Sequence, residues 1–288
     1  MKLTYLIRAH HKPRQLARLI RRLRAEDVSF AVHVDARAPD SVFSQMRSEL
    51  ADVPEVEWLP RVRTYYAGFS LVEAALVGLR RLAANPPDAA VLLSGQDYPL
   101  RPGAEIRRFL ADGAGRSYLE HFRLPTGDHW PGERGGLDRI EHVHFERLRL
   151  RTRILRLPLV RRRFPAGLTA YGGSAWMSLS GDAVRYLVEL ELDRPDLVRF
   201  FHRVRAPEEI FFQTVLLSSP LRDTVENLPL HHIEWPGGSH PKTLGLADLP
   251  ALAASGRLFA RKFDLDADEA VLDAIDRELL GVPVETSR

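Results

Sequence analysis

The chain has 288 residues, and its 41 Lys and Arg against 38 Asp and Glu leave a formal net charge of only +3. That length suits one large α/β domain or two smaller ones, and the charge is too small to point to nucleic acid. There are no cysteines, which excludes disulfides, thiolate metal sites and a cysteine nucleophile and fits a reducing compartment.

Residues 3–7 form a short apolar strand that Arg8 and His10 cut off, well under the length of a secretory apolar region. No run approaches 20 apolar residues, so no membrane span is expected. The expected location is cytoplasmic, with a peripheral contact at the inner membrane face left open. Residues 12–23 read as a helix with Leu16, Leu19, Ile20 and Leu23 on one face. A second strand follows at 30–34, ending on Asp35, and a third at 56–59. Residues 70–84 are helical, and 89–93 form a continuously apolar strand that runs into Ser94-Gly95-Gln96-Asp97-Tyr98-Pro99. Strands separated by helices, with continuously apolar cores, predict a mostly parallel sheet covered on both faces. Ligands bind such sheets beyond the carboxyl ends of the strands, where His10-His11, His33 to Asp35, and Ser94 to Asp97 would stand.

The second half is less regular. Strands are expected at 117–122, 171–179 and 225–233, and helices at 180–192 and 267–280. Residues 125–136 form a Gly/Pro-rich loop with Trp130 and Arg134, and 235–242 form another with Trp235 and Lys242. No internal repeat or linker is visible, which predicts one domain over 1–288, with a nucleotide half at about 1–115 and an acceptor half at about 116–288.

The stretch Arg205-Ala206-Pro207-Glu208-Glu209-Ile210-Phe211-Phe212-Gln213-Thr214 reads as a helix start carrying two carboxylates. Pro207 suits the first helical position, because its φ is already helical and its missing N–H would be unsatisfied there. Ile210, Phe211, Thr214, Val215 and Leu217 supply an apolar face at helical spacing. Glu208 and Glu209 then fall where exposed N–H groups favour negative charge. The stretch alone leaves open whether they only complement the helix dipole or carry chemistry.

Asp97 follows a buried strand, where it could hold sugar hydroxyls or hydrogen-bond its own turn. Gly95 and Gln96 supply no second carboxylate for Mg²⁺, and the histidines form no H-E-x-x-H, so no metal is expected. His33 and Asp35 could contact a base or ribose, or simply end a strand in water. Lys242, Arg261 and Lys262 could neutralise a diphosphate, or be solvated surface charge. Trp130, Trp176 and Trp235 could stack on sugar faces, although Trp176, read as part of a strand, could equally be core. Residues 147–163 carry eight arginines interleaved with Ile154, Leu155, Leu157, Leu159 and Val160. That run admits a solvated face, an anionic-membrane contact or a nucleic-acid patch.

Together these pieces resemble the core-2/I-branching β-1,6-N-acetylglucosaminyltransferase family, which includes peptide O-xylosyltransferases. The resemblance rests on Leu92-Leu93-Ser94-Gly95-Gln96-Asp97-Tyr98-Pro99-Leu100, Tyr171-Gly172-Gly173-Ser174-Ala175-Trp176, the 206–214 stretch, Ser239-His240-Pro241-Lys242-Thr243-Leu244, and Leu258-Phe259-Ala260-Arg261-Lys262-Phe263-Asp264, in that order. It implies an α/β, Rossmann-like GT-A domain that moves a sugar, GlcNAc or xylose, from a UDP-sugar to an acceptor hydroxyl on a glycan or glycoconjugate, with inversion and without a metal or other cofactor. It places the general base at Glu209, with Glu208 where the family has Asp. The donor would meet His10, His33, Asp35, Asp97, Lys242, Arg261 and Lys262. The acceptor would meet Glu120, Trp130, Arg134, Trp176, Glu208 and Trp235. Animal members carry an anchor and many cysteines, so this chain resembles a soluble bacterial-type member, and residues 120–170 match least. The alternative on the same fold is a non-catalytic sugar-binding or anionic-surface-binding protein.

Overall fold

A computed structural model describes residues 1–130, 134–150, 153–237 and 240–284. Arg151 of the basic run, and Gly238 and Ser239 of the 235–242 loop, lie outside the described residues. The first half contributes β1 (Leu3–Ala9), β2 (Val28–Val34), β3 (Val56–Trp58), β4 (Ala89–Ser94), β5 (Asp97–Pro99) and β6 (Ser117–Leu119). Then come β7 (Phe122–Arg123), β8 (His142–Leu150), β9 (Arg153–Arg161), β10 (Tyr171–Gly172), β11 (Met177–Ser180), β12 (Val225–Glu226), β13 (His231–Ile233) and β14 (Phe259–Arg261). The helices used below are α1 (Pro13–Leu23), α2 (Asp40–Glu49), α3 (Ser70–Ala83), α4 (Gly103–Asp112), α5 (Leu137–Glu141), α6 (Gly181–Asp193), α7 (Pro195–Phe201) and α8 (Phe211–Leu217).

The main sheet runs β12-β6-β11-β4-β1-β2-β3. β3, β2, β1 and β4 form a parallel block, and β11 lies antiparallel between β4 and β6. Alternation along β1 splits the core in two. Tyr5 and Ile7 join Leu16, Leu19 and Ile20 of α1 on one face, while Leu6 joins Ala31, Leu92, Val72 and Leu76 on the other. Burying each such side chain contributes about 1.5–3 kcal/mol. Gly78 lets α3 approach closely, since a Cβ there would lie 2.3 Å from Leu6 Cδ1.

A smaller sheet, β13-β14-β5, stands beyond the carboxyl end of β4 and places Arg261 opposite Asp97. It is pinned from behind by buried charge. Arg18 of α1 donates to Asp276 at 2.8 Å and to Asp273 at 2.7 Å, and the Tyr98 hydroxyl donates to Asp276 at 2.8 Å.

Several elements differ from the sequence reading. Pro207–Glu209 is a separate 3-10 turn, and α8 begins only at Phe211, because Ile210 leaves helical geometry at φ −134°. The carboxylates therefore do not cap an α-helix. The 225–233 segment divides between two sheets, and 171–179 is broken after Gly172 and resumes at Met177. The basic run takes in the end of β8 and all of β9, which pair as an antiparallel hairpin. The helices α2, α4, α5 and α7, and a further short one at Leu249–Ala254, were not expected.

Candidate active site

Beyond β4, Asp97 is fully buried and receives four groups. Ser94 donates through its backbone N–H at 2.9 Å and its hydroxyl at 2.5 Å, Arg261 Nε donates at 3.0 Å, and His231 Nε2 stands 3.3 Å away. Burial alone would raise this carboxyl, but Arg261, His231 and the Ser94 hydroxyl outweigh it and hold it below its ordinary value. Asp97 thus anchors Arg261 instead of offering oxygens to a ligand. The Arg261 guanidinium lies 4.1 Å above Trp176, and Arg8, from the end of β1, lies 5.0 Å from the same ring. Trp176 is half-buried and gives its ring to two cations, each contact worth on the order of 1–2 kcal/mol where water is excluded. Its segment is fixed by α8: Gln213 Nε2 donates to the Ser174 carbonyl at 2.7 Å, and Thr214 Oγ1 accepts from Tyr171 N–H at 3.1 Å.

The carboxylate turn follows Ala206, held in the left-handed region at φ 49°. Glu208 is buried against the Arg8 side, and its Oε2 has no hydrogen-bond partner among the described residues. Burial first, and Glu209 beside it, push Glu208 up to about 8, so it is neutral near pH 7. Glu209 is 30 % exposed, and its Oε2 accepts from Arg139 Nη1 at 2.5 Å. Its backbone carbonyl accepts from Gly173 N–H at 2.9 Å. A third carboxyl, Glu120, is raised by burial and by the field of Glu209. The three stand close enough to perturb one another, and Glu209 is the one with a cation on it.

At the carboxyl ends of β1 and β2, His10 is lowered by burial, with further effects from His11, Asp35, Arg37 and Lys262. Those side chains therefore share one neighbourhood. Lys262 is half-buried, and among the described residues its ammonium has no carboxylate partner.

The sequence pattern of the Core-2/I-Branching enzyme family matches residues 3–252. The chain belongs to the core-2/I-branching enzyme family. Rat xylosyltransferase 2 is 29 % identical over 98 % of this chain and 34 % of its own length, and rat xylosyltransferase 1 is 26 % identical over 98 % and 36 %. The chain thus spans about a third of these relatives. Among solved structures, 4-diphosphocytidyl-2C-methyl-D-erythritol synthase from Anaerococcus prevotii superposes with a TM-score of 0.35 at 9 % identity, over 70 % of this chain and 83 % of that one. That likeness is too distant to bear on function. Membership makes the mostly parallel α/β sheet a Rossmann-like domain of the GT-A type.

Within this core-2/I-branching domain the expected site residues separate. His10, Arg261 and Lys262 stand beyond the carboxyl ends of the strands, and Glu120, Glu208 and Glu209 form one carboxyl cluster. His33 does not face water. It is buried in β2, its Nε2 accepts from Val62 N–H at 2.9 Å, and burial together with Arg8 lowers it to about 4. Asp35 accepts from the backbone N–H groups of Arg37 and Thr64 and from the Thr64 hydroxyl, so it shapes the loop beside β2. Lys242 bonds Glu234 at 3.1 Å and Asp248 at 2.6 Å, and its charge is already balanced. Arg134 pairs with Glu141. Trp130 gives a ring face to Arg139, 3.7 Å away, while Trp235 is 54 % exposed beside Glu234. Arg8, Arg139 and His231 were not singled out from sequence, and Ser94 only by its place at the end of β4. Ser94 lay inside a quoted motif, whereas Arg139 falls in the least-matched stretch and carried no signal.

Proposed function

We propose that this chain is an inverting glycosyltransferase that moves a sugar, xylose or N-acetylglucosamine, from a UDP-sugar to an acceptor hydroxyl on a glycan or glycoconjugate. The xylosyltransferase relatives support xylose. Glu209 takes the acceptor O–H proton as that oxygen bonds to the anomeric carbon and the bond to UDP breaks, a single displacement that inverts the centre. A positioned carboxylate of this kind contributes about 10²- to 10⁴-fold. Arg261 and Lys262 meet the charge developing on the leaving diphosphate, the role a divalent ion would otherwise fill.

One observation carries this reading. Of three neighbouring carboxyls, two are pushed toward the neutral form, and only Glu209 has a cation on one oxygen and no protein partner on the other among the described residues. That leaves one oxygen of a half-buried carboxylate without a protein partner among the described residues.

The tests are direct. UDP-xylose, UDP-N-acetylglucosamine, UDP-galactose and UDP-glucose are screened for stabilisation against heat, since a ligand of the folded state raises Tm. Glu209→Gln should then lower UDP release at least about 10²-fold with donor binding intact, and EDTA should leave the wild type unchanged. Wild-type turnover in the Gln variant would remove Glu209 from this role, and a strict Mn²⁺ requirement would return the diphosphate to a metal.

A peripheral contact with an anionic membrane is a second element of the proposal. In the hairpin, Leu157 and Val160 are exposed, as are Arg161 and Arg163 at its end. Equal sedimentation with neutral and with phosphatidylglycerol-containing vesicles would discard it.

A further inference from the structure

We infer that Arg139 is a positioning residue that aims the Glu209 carboxylate, and that Trp130 is the platform on which Arg139 is held. The inference rests on the reading of Glu209 as the base and adds to it the residues that fix its geometry.

The main chain of Glu209 is already constrained. Its N–H donates to the Ala206 carbonyl at 3.1 Å, and its carbonyl accepts from Gly173 at 2.9 Å. The side-chain torsions remain, and a half-exposed glutamate without a partner would sample several rotamers. The 2.5 Å bond from Arg139 Nη1 to Oε2 selects one of them and leaves Oε1 as the unpartnered oxygen.

Arg139 is itself built in at both ends. Its N–H donates to the Gly136 carbonyl at 3.1 Å, and its carbonyl accepts from Arg205 N–H at 3.0 Å. The second of these bonds ties α5 to the residue two places before the carboxylate turn, so base and orienting cation share one frame. The guanidinium lies over the Trp130 ring, 3.7 Å from its centroid, within the range of a cation–π contact. Trp130 in turn meets Phe122 edge-on at 5.1 Å and fills space that Gly136 and Gly172 leave free. A Cβ on those glycines would lie 2.4 Å and 2.6 Å from the indole. A chain of packed groups thus runs from the sheet edge through Trp130 and Arg139 to Glu209. Because one ring face is occupied by Arg139, Trp130 is a support for the base before it is a surface for sugar.

An error of about 1 Å in the placement of a reacting group can cost about 10²-fold in rate, which sets the expected size of the effect. The experiment measures UDP release from UDP-xylose and UDP-N-acetylglucosamine by the wild type and by Arg139→Met, Arg139→Lys, Glu209→Gln and Glu209→Gln/Arg139→Met. Arg139→Met should lower kcat about 10²-fold with the donor KM within about threefold, and Arg139→Lys should recover about tenfold of that loss. In the Glu209→Gln background Arg139→Met should add less than about twofold, because residues that act through one another are not additive.

Should Arg139→Met melt early, Arg139→Ala assayed with guanidinium chloride at millimolar concentration replaces it. Saturable rescue by the free ion is then expected, which a merely structural role would not show. A kcat for Arg139→Met within about threefold of wild type, or a full multiplicative loss on top of Glu209→Gln, overturns the inference alone. Wild-type activity in Glu209→Gln overturns the Proposed function and this inference with it.

Discussion

Asp97 Oδ1 receives Arg261 Nε at 3.0 Å across the register pair that joins β5 to β14. That bond turns a buried aspartate into the fixed point that holds the Arg261 cation against Trp176. Asp97→Ala would strand Arg261 and His231 without their common counter-charge. Removing one partner of a buried pair costs about 3–5 kcal/mol, and urea denaturation at pH 7 should show a loss of that size. A change below about 1 kcal/mol would mean that the cluster is solvated. The carboxyl lies below its ordinary value in the folded state, so its contribution is present above the unfolded value and is lost as pH falls through the lower folded one. The wild type should therefore weaken in acid, below the usual carboxylate range, more than Asp97→Asn does.

Glu208 has the opposite linkage. Folding raises it to about 8, so between its unfolded value and pH 8 the native state holds a proton that the unfolded chain releases. Stability must then fall as pH rises through that window. Glu208→Gln keeps the shape and removes the titration. Relative to wild type it should be near neutral at pH 5 and stabilising at pH 8.5, by on the order of a few kcal/mol. Parallel stability–pH curves for the two proteins would show that Glu208 is ionised in the fold.

Much of this frame was legible in the chain because each face of the parallel block declares itself. β1, β2 and β4 are predominantly apolar and almost wholly buried, and α1 and α3 carry their buried positions at helical spacing. α2 escaped notice because only Met46 on it is buried, so it carries almost no apolar stripe. The hairpin was hidden by its arginines, which mask the period-2 pattern of a strand. At the site, Glu209, Lys262 and Arg261 stood in motifs that are local in sequence. Arg139 and Arg8 did not. Arg139 is 70 residues from the glutamate it binds, and nothing in a single arginine on a five-residue helix reveals such a partner. Lys242 shows the converse: its motif is local, but Glu234 and Asp248, which pair with it, are visible only once the loops meet.

That contrast predicts how the two lysines differ toward nucleotide. Lys262 has no carboxylate partner among the described residues and shares the neighbourhood of His10. Lys242 is 40 % exposed and paired twice. A charge-assisted hydrogen bond is worth about 1.5–3 kcal/mol, so Lys262→Ala should weaken UDP binding about 10- to 10²-fold in titration calorimetry. Lys242→Ala should change it less than about twofold, because exposed paired charges contribute little. The reverse order would move the diphosphate to the 235–242 loop.

Gly172 gives a test of the packing behind the base that touches no charged group. A Cβ there would lie 2.6 Å from Trp130 and 2.8 Å from Phe122, so Gly172→Ala must displace both rings. Overpacking of this kind costs about 1–3 kcal/mol, well within what a domain of this size tolerates. The displaced indole would carry Arg139 with it, since the guanidinium rests on that ring. The donor side is built on β1, β4, β5 and β14, which Gly172 does not contact among its nearest neighbours. UDP affinity in Gly172→Ala should therefore stay within about twofold of wild type while kcat falls by at least about tenfold, the fraction of a 10² positioning effect that a partial shift removes. If kcat and UDP affinity fell together, the substitution would be disturbing the sheet as a whole, and the line of support from Trp130 to Glu209 would lose its separate standing.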